Sequence, residues 1–109
     1  MELAFSTPEL RDICEKRERA ILELGQSTAL ELERRIADLE AVDTVAEFET
    51  LFPNAITLLS GGECTLRLET DCVVSFVVGH VSTPQTQDSV TDWGRVTRVR
   101  IIAIGANHE

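Results

Sequence analysis

The sequence predicts a single α+β domain over residues 1–109, in which a short N-terminal strand, a helical hairpin and a short third helix pack on one face of a small antiparallel sheet. One change of pattern along the chain supports this fold class. Apolar residues recur at helical spacing up to about residue 52, and from about residue 55 they alternate with polar residues as in strands. A chain of 109 residues that is 43% hydrophobic has room for one core.

The N-terminal quarter of the chain predicts a strand followed by a long helix. ELAF, residues 2–5, is short and apolar enough for an opening strand. Ser6 and Glu9 have the spacing of a capping box, and Pro8 suits the first turn of a helix. Gly25 is placed to end this helix, which we expect over about residues 7–24. The apolar positions that would share its inner face are Leu10, Ile13, Cys14, Ile21 and Leu24.

Two further helices are predicted before residue 54. Ser27 or Thr28 can cap the second helix, and the short connection makes it the antiparallel neighbour of the first. Its apolar stripe is Ala29, Leu32, Ile36 and Leu39, and the residues expected to face water are Glu31, Arg34, Arg35, Asp38 and Glu40. The segment VAEFETLF after Thr44 predicts a short third helix, which Pro53 ends.

The second half of the chain predicts strands. ECTLRLE, residues 63–69, alternates apolar and polar residues, and CVVSFVV, residues 72–78, follows after only Thr70 and Asp71. Two intervening residues predict an antiparallel hairpin. Residues 80–94 are polar and without a period, as in a surface loop. VTRVRIIAI, residues 96–104, is rich in β-branched side chains and is predicted to lie inside the sheet.

Net charge and the lack of targeting signals restrict the function classes. The formal net charge is -9, with -7 in residues 1–53 and -2 in residues 54–109. Because phosphate neutralisation dominates affinity for nucleic acids, this excess of acid argues against sequence-independent binding over the whole surface and leaves only a local cationic site. The chain shows no secretory signal and no apolar run near the ~18 residues that a membrane span requires. We therefore expect a cytoplasmic protein with no membrane partner.

No motif for a cofactor or a metal is present. The sequence lacks a Walker loop, a dinucleotide fingerprint, a Cys-x-x-Cys pair and a His-Glu-x-x-His helix, so we expect no small-molecule cofactor and no metal. Cys14, Cys64 and Cys72 are odd in number and lack paired spacing, and we expect them to be reduced, small buried side chains.

The candidate site residues are three arginines and one histidine. Arg98 and Arg100 are two apart in a predicted strand and so share a face, and Arg67 lies in a neighbouring strand. Together they could hold a phosphate or a partner's carboxylates, or they could pair with this chain's own acids, such as Glu69 or Asp71. His108 is the candidate general acid or base if the last strand places it beside the arginines, and otherwise a frayed terminal side chain.

The order of these segments resembles the RelE/ParE superfamily of type II toxin–antitoxin toxins, within it the HigB-like (plasmid maintenance killer) branch. FSTPELRDICEKRERAILELGQSTALELERRIADLEAVDTVAEF is similar to the paired-helix region of that branch. GGECTLRLE with VVSFVV is similar to its central hairpin, and DWGRVTRVRIIAI to its last strand. The chain departs from the branch where Val73 replaces a strand arginine, where Gly61, Gly62 and Glu63 replace a basic turn, and where Ala106 and Asn107 precede His108 in place of Asp-Tyr.

The resemblance implies a toxin neutralised by a cognate antitoxin protein, acting as a ribosome-dependent mRNA endoribonuclease. In such enzymes an imidazole or basic side chain assists attack of the ribose 2′-hydroxyl on the adjacent phosphate, and cationic side chains stabilise the developing charge. His108 would take the first role and Arg67, Arg98 and Arg100 the second. The alternatives are a catalytically inactive, acidic protein-binding member of the same fold and a ParE-like inhibitor of DNA gyrase.

Overall fold

The computed structural model describes residues 1–106 of the chain. Within that range the polypeptide forms four α-helices and one five-stranded sheet, which confirms the predicted α+β class. The elements in chain order are β1 (Glu2–Phe5), α1 (Pro8–Glu15), α2 (Arg17–Leu24), α3 (Gln26–Ala41), α4 (Val45–Leu51), β2 (Ile56–Leu58), β3 (Glu63–Arg67), β4 (Cys72–Val78) and β5 (Arg98–Ala106). Short 3₁₀ turns cover Ser60–Gly62 and Trp93–Arg95.

The sheet has the strand order β1-β5-β4-β3-β2. The neighbours β5, β4, β3 and β2 pair antiparallel, whereas β1 pairs parallel with β5, with Glu2 opposite Arg98 and Phe5 opposite Ile101. In β5 a bulge inserts Ile102, because Ser75 of β4 faces Ala103 while Phe76 faces Ile101. The sheet is therefore mostly antiparallel, with one parallel edge strand.

The helices cover one face of this sheet, and the core lies between the two layers. Helices α3 and α4 contribute buried apolar side chains that pack against the inward residues of the strands. The alternation predicted for β3 is confirmed, since Cys64 and Leu66 are buried and Thr65 between them is not; β4 alternates in the same way. The largest fully buried side chains include Leu32, Leu39, Phe48, Leu66, Leu68, Phe76 and Ile101.

The first predicted helix is divided in two, which corrects the continuous helix expected over residues 7–24. Lys16 has extended backbone angles, φ -119 and ψ 112, and separates α1 from α2. A continuous helix would bring Arg17 onto the apolar stripe between Cys14 and Ile21; here the Arg17 guanidinium instead donates to both carboxylate oxygens of Glu33 on α3, at 2.9 and 2.8 Å. The break lets α1 contact β1 and β5 while α2 lies along α3.

Several boundaries also differ from the sequence prediction. The side chain that caps α1 is Thr7, which accepts from the Leu10 N–H at 3.2 Å, rather than Ser6. Strand β2 was not predicted, because three residues carry too little alternation to be recognised. The last strand begins at Arg98, so Arg95 lies in the preceding 3₁₀ turn, where its Nε donates to Asp92 at 2.8 Å.

The prediction of buried cysteines is confirmed for Cys64 and Cys72 and only in part for Cys14. All three thiols are free; Cys64 and Cys72 are buried, and Cys14 is half-buried. Within residues 1–106, no helix has the length and apolar character needed to cross a membrane.

Candidate functional site

The face of the sheet opposite the helices carries most of the candidate site residues, and we call it the outer face. Its side chains alternate with the buried ones along each strand. The uncharged part consists of small and β-branched residues, among them Ala4, Thr57, Thr65, Val73, Ser75 and Val77. The charged part consists of Glu2, Glu63, Arg67, Arg98 and Arg100.

Arg98 and Arg100 lie on the outer face at the start of β5, but their surroundings differ. The Arg98 Nη2 group lies 3.2 Å from each carboxylate oxygen of Glu2, the residue opposite it on β1. Both partners are largely exposed, so this pair contributes little to stability. Arg100 is exposed between Ala4 and Val77 and has no ion-pair partner within the described range 1–106. It is therefore the cation on this face that is available to a ligand.

The structure does not bring Arg67 together with these two arginines. Arg67 faces Val73 of β4, whereas Arg100 faces Val77, so they differ by four residues along the sheet and lie two strands apart. With strand residues ~3.3 Å apart and strands ~4.8 Å apart, the backbones of Arg67 and Arg100 are about 16 Å apart. Arg67 lies at the end of the sheet where Gly105 of β5 is found, and Arg98 and Arg100 lie at the opposite end.

His108, the candidate acid or base, lies outside the described residues. The other histidine, His80, accepts a hydrogen bond at Nε2 from the Thr97 backbone N–H at 3.0 Å. His80 thus ties the start of the long loop to the residue before β5, which is a structural role.

Charge is distributed unevenly between the two sides of the molecule. The outer face carries three arginines and two glutamates, a net charge of +1. The other seven bases and sixteen acids of residues 1–106 give a net charge of -9. Eleven acids lie on the four helices. The outer face is therefore less acidic than the rest of residues 1–106 taken together.

A cavity of about 380 Å³ lies at the edge of the sheet, where Arg67 forms one wall. Arg35 of α3 forms another wall, and sequence reasoning missed it by assigning Arg35 to the solvent-facing side of the helix. Arg35 is half-buried, with its guanidinium 4.6 Å from the centroid of the Phe52 ring and its Nη1 donating to Asp38 at 3.1 Å. The signal in the sequence is the spacing of three from Arg35 to Asp38 beside the Leu32, Ile36 and Leu39 stripe.

Among residues 1–106, no three His, Cys, Asp or Glu side chains lie close enough together to hold a metal ion. Comparison with protein-family models, with curated proteins and with solved structures finds no match for this chain.

Proposed function

We propose that this chain is the toxin of a type II toxin–antitoxin pair, and that it cleaves ribosome-bound mRNA on the outer face of the sheet. The observation that carries the proposal is the segregation of charge, with three candidate arginines on a face of net charge +1 and the acids concentrated on the helices behind it. A polyanion can approach this face with less repulsion than it meets on the helical side. The function implies a location in the cytoplasm, where ribosomes and a neutralising antitoxin are present.

The chemistry assigned to this face is cleavage by the ribose 2′-hydroxyl. A base removes the proton of the 2′-hydroxyl, the oxygen attacks the adjacent phosphorus, and the bond from phosphorus to the 5′-oxygen breaks as that oxygen gains a proton. His108 is the candidate for the proton transfers. Arg100 has no ion-pair partner within residues 1–106 and lies at the opposite end of β5 from Ala106, so it is the candidate for holding a neighbouring phosphate of the mRNA backbone. Arg98 can join it by exchanging the Glu2 carboxylate for a phosphate oxygen.

A second candidate function is a catalytically inactive member of the same fold that binds an antitoxin or another protein. The separation of about 16 Å between the backbones of the two groups of arginines favours it, because this spacing suits several carboxylates on a partner surface better than one phosphate. Between them lie Val73, Ser75 and Val77, which cannot transfer a proton near neutral pH. Under this function the arginines would pair with carboxylates on the partner.

Induced expression in a bacterial host that lacks any antitoxin tests the proposal. We expect the wild type to stop growth and pulse-labelled protein synthesis. His108→Ala should abolish the arrest because it removes the proton-transfer group, and Arg100→Glu should weaken it because it reverses the charge that meets the phosphate. Arg34→Glu, an equal charge change on an exposed position of α3, serves as the control and should retain the arrest.

The outcomes separate the candidates. An arrest that survives His108→Ala but is lost in Arg100→Glu supports the protein-binding function and contradicts the nuclease. Loss of plasmid supercoiling with unchanged protein synthesis would indicate gyrase inhibition instead. A soluble, abundant wild type that affects neither growth nor synthesis would reject toxin activity.

A further inference from the structure

The cavity beside Arg35 is the feature of the structure that the proposed function does not use. It opens between α3, the end of α4 and the end of β3, and its volume of about 380 Å³ lies within the range of small-molecule sites, ~300–1,000 Å³. Its apolar wall consists of Leu51, Phe52, Pro53 and Leu68. Leu51 exposes 58% of its surface, so the apolar wall continues to the mouth of the cavity.

Arg35 presents an incompletely used cation to this cavity. Its Nη1 group donates to Asp38, and its guanidinium lies over the Phe52 ring, 4.6 Å from the ring centroid. Its Nε group is buried and has no hydrogen-bond acceptor among residues 1–106. A buried donor without an acceptor is unfavourable, so a ligand anion that accepts from this guanidinium supplies an interaction that the free protein lacks.

The two carboxylates in the cavity wall differ in availability. Glu31 accepts from the Glu69 N–H at 2.6 Å, the Thr70 N–H at 3.3 Å and the Thr70 hydroxyl at 3.2 Å. These donors stabilise its charge and occupy both of its oxygens. Glu69 is exposed at the mouth, where its carboxylate would oppose an incoming anion.

We infer that this cavity binds a small organic carboxylate with an apolar body. The carboxylate would accept from Arg35, and the apolar body would cover Leu51, Phe52 and Pro53. The inference does not depend on toxin activity, because Arg35 and the apolar wall lie off the outer face.

Titration with 3-phenylpropionate, followed by amide chemical shifts, tests the inference. We expect saturable shifts at residues 51–55 and 67–70 with a dissociation constant of about 1 mM, as suits a ligand of this size. 3-Phenylpropionamide has the same shape without the charge and should bind about tenfold more weakly. Equal binding of the acid and the amide, or the absence of saturable shifts at these residues, would overturn the inference.

Matched variants locate the contact. Arg35→Met should weaken binding of 3-phenylpropionate about tenfold, whereas Arg34→Met, at the adjacent exposed position, should leave it unchanged. Because Arg35→Met can also disturb the packing on Phe52, Glu69→Gln provides an independent measurement at an exposed residue. Removing that negative charge should tighten binding, and unchanged or weaker binding by Glu69→Gln would contradict the assignment of the anion to this cavity.

Discussion

Each of the three cysteines lies in surroundings that keep its thiol protonated. Burial raises the pKa of Cys14 from its ordinary value of 9.0 to about 12, with smaller contributions from the nearby charges of Glu15 and Glu40. Burial also raises the pKa of Cys64 and of Cys72. Because the thiolate is the reactive form, these cysteines are structural side chains rather than nucleophiles.

The raised cysteine pKa values predict a loss of stability at alkaline pH. Below pH 9.0 the thiols are protonated in both the folded and the unfolded chain, and above it the unfolded chain loses these protons first. The free energy of unfolding should therefore fall as pH rises from about 9 toward about 12. The chain has no tyrosine and Lys16 as its one lysine, so few other groups titrate there.

Urea denaturation at a series of pH values measures this effect. Cys14→Ala should reduce the fall, because one of the three shifted thiols is removed. A free energy of unfolding that stays constant across this pH range, or native thiols that react with iodoacetamide as fast as the unfolded ones, would refute the prediction.

Arg98 and Arg100 show what sequence reasoning can establish about single residues. Their common face followed from strand alternation, and the structure confirms it. The Glu2 partner of Arg98 could not be predicted, because it depends on the parallel pairing of β1 with β5 across 96 residues. The separation of Arg67 from Arg100 likewise depends on β4 lying between β3 and β5.

At the scale of elements, the β3–β4 hairpin combines a predictable pairing with an unpredicted turn. The antiparallel hairpin was predicted from two apolar runs and a two-residue gap. Its turn is longer, since Leu68 N–H donates to Cys72 O at 2.8 Å and Asp71 N–H to Leu68 O at 3.1 Å. Asp71 has a positive φ of 66, and Glu31 of α3 accepts from the turn N–H groups. A helix residue therefore completes the turn, which local sequence does not reveal.

Substitution at Asp71 tests this turn. Glycine adopts a positive φ without steric cost and alanine does not, so Asp71→Gly should be about 1 kcal/mol more stable than Asp71→Ala. At Asp88, where φ is not positive, Asp88→Gly should be less stable than Asp88→Ala. Urea denaturation followed by circular dichroism measures the stability of all four variants. If the glycine variant is less stable than the alanine variant at both positions, the Asp71 backbone is not in the left-handed region.

The division between α1 and α2 was not predictable for a related reason. Neither proline nor glycine occurs near Lys16, so local propensity favours a continuous helix. The break results from tertiary contacts, in which Arg17 reaches Glu33 while α1 turns toward β1 and β5. The apolar pattern therefore predicted that residues 7–24 are helical. The change of direction between α1 and α2 depends on contacts with the sheet and with α3.

For the whole molecule, the central feature is a sheet covered on one side. The helices carry eleven of the acids of residues 1–106 and shield the core, while the outer face holds the three candidate arginines. The apolar patterns of the helices and strands predicted this layering. That Arg67 lies at one end of the sheet and Arg98 and Arg100 at the other could be learned only from the strand order. A molecule of net charge -9 can still present one face to a polyanion, and its binding should weaken with added salt.

A reconstituted translation reaction tests the central claim most directly. Cleavage of a defined mRNA is mapped by primer extension, with and without ribosomes, for the wild type, Arg100→Gln and the control Arg34→Gln. We predict that the wild type and Arg34→Gln cut the mRNA only when ribosomes are present. Arg100→Gln should cut about tenfold more slowly, since a charge-assisted hydrogen bond contributes roughly 1.5–3 kcal/mol. The absence of ribosome-dependent cleavage, or an Arg100→Gln rate equal to that of the wild type, would contradict the assignment of this face as the catalytic surface.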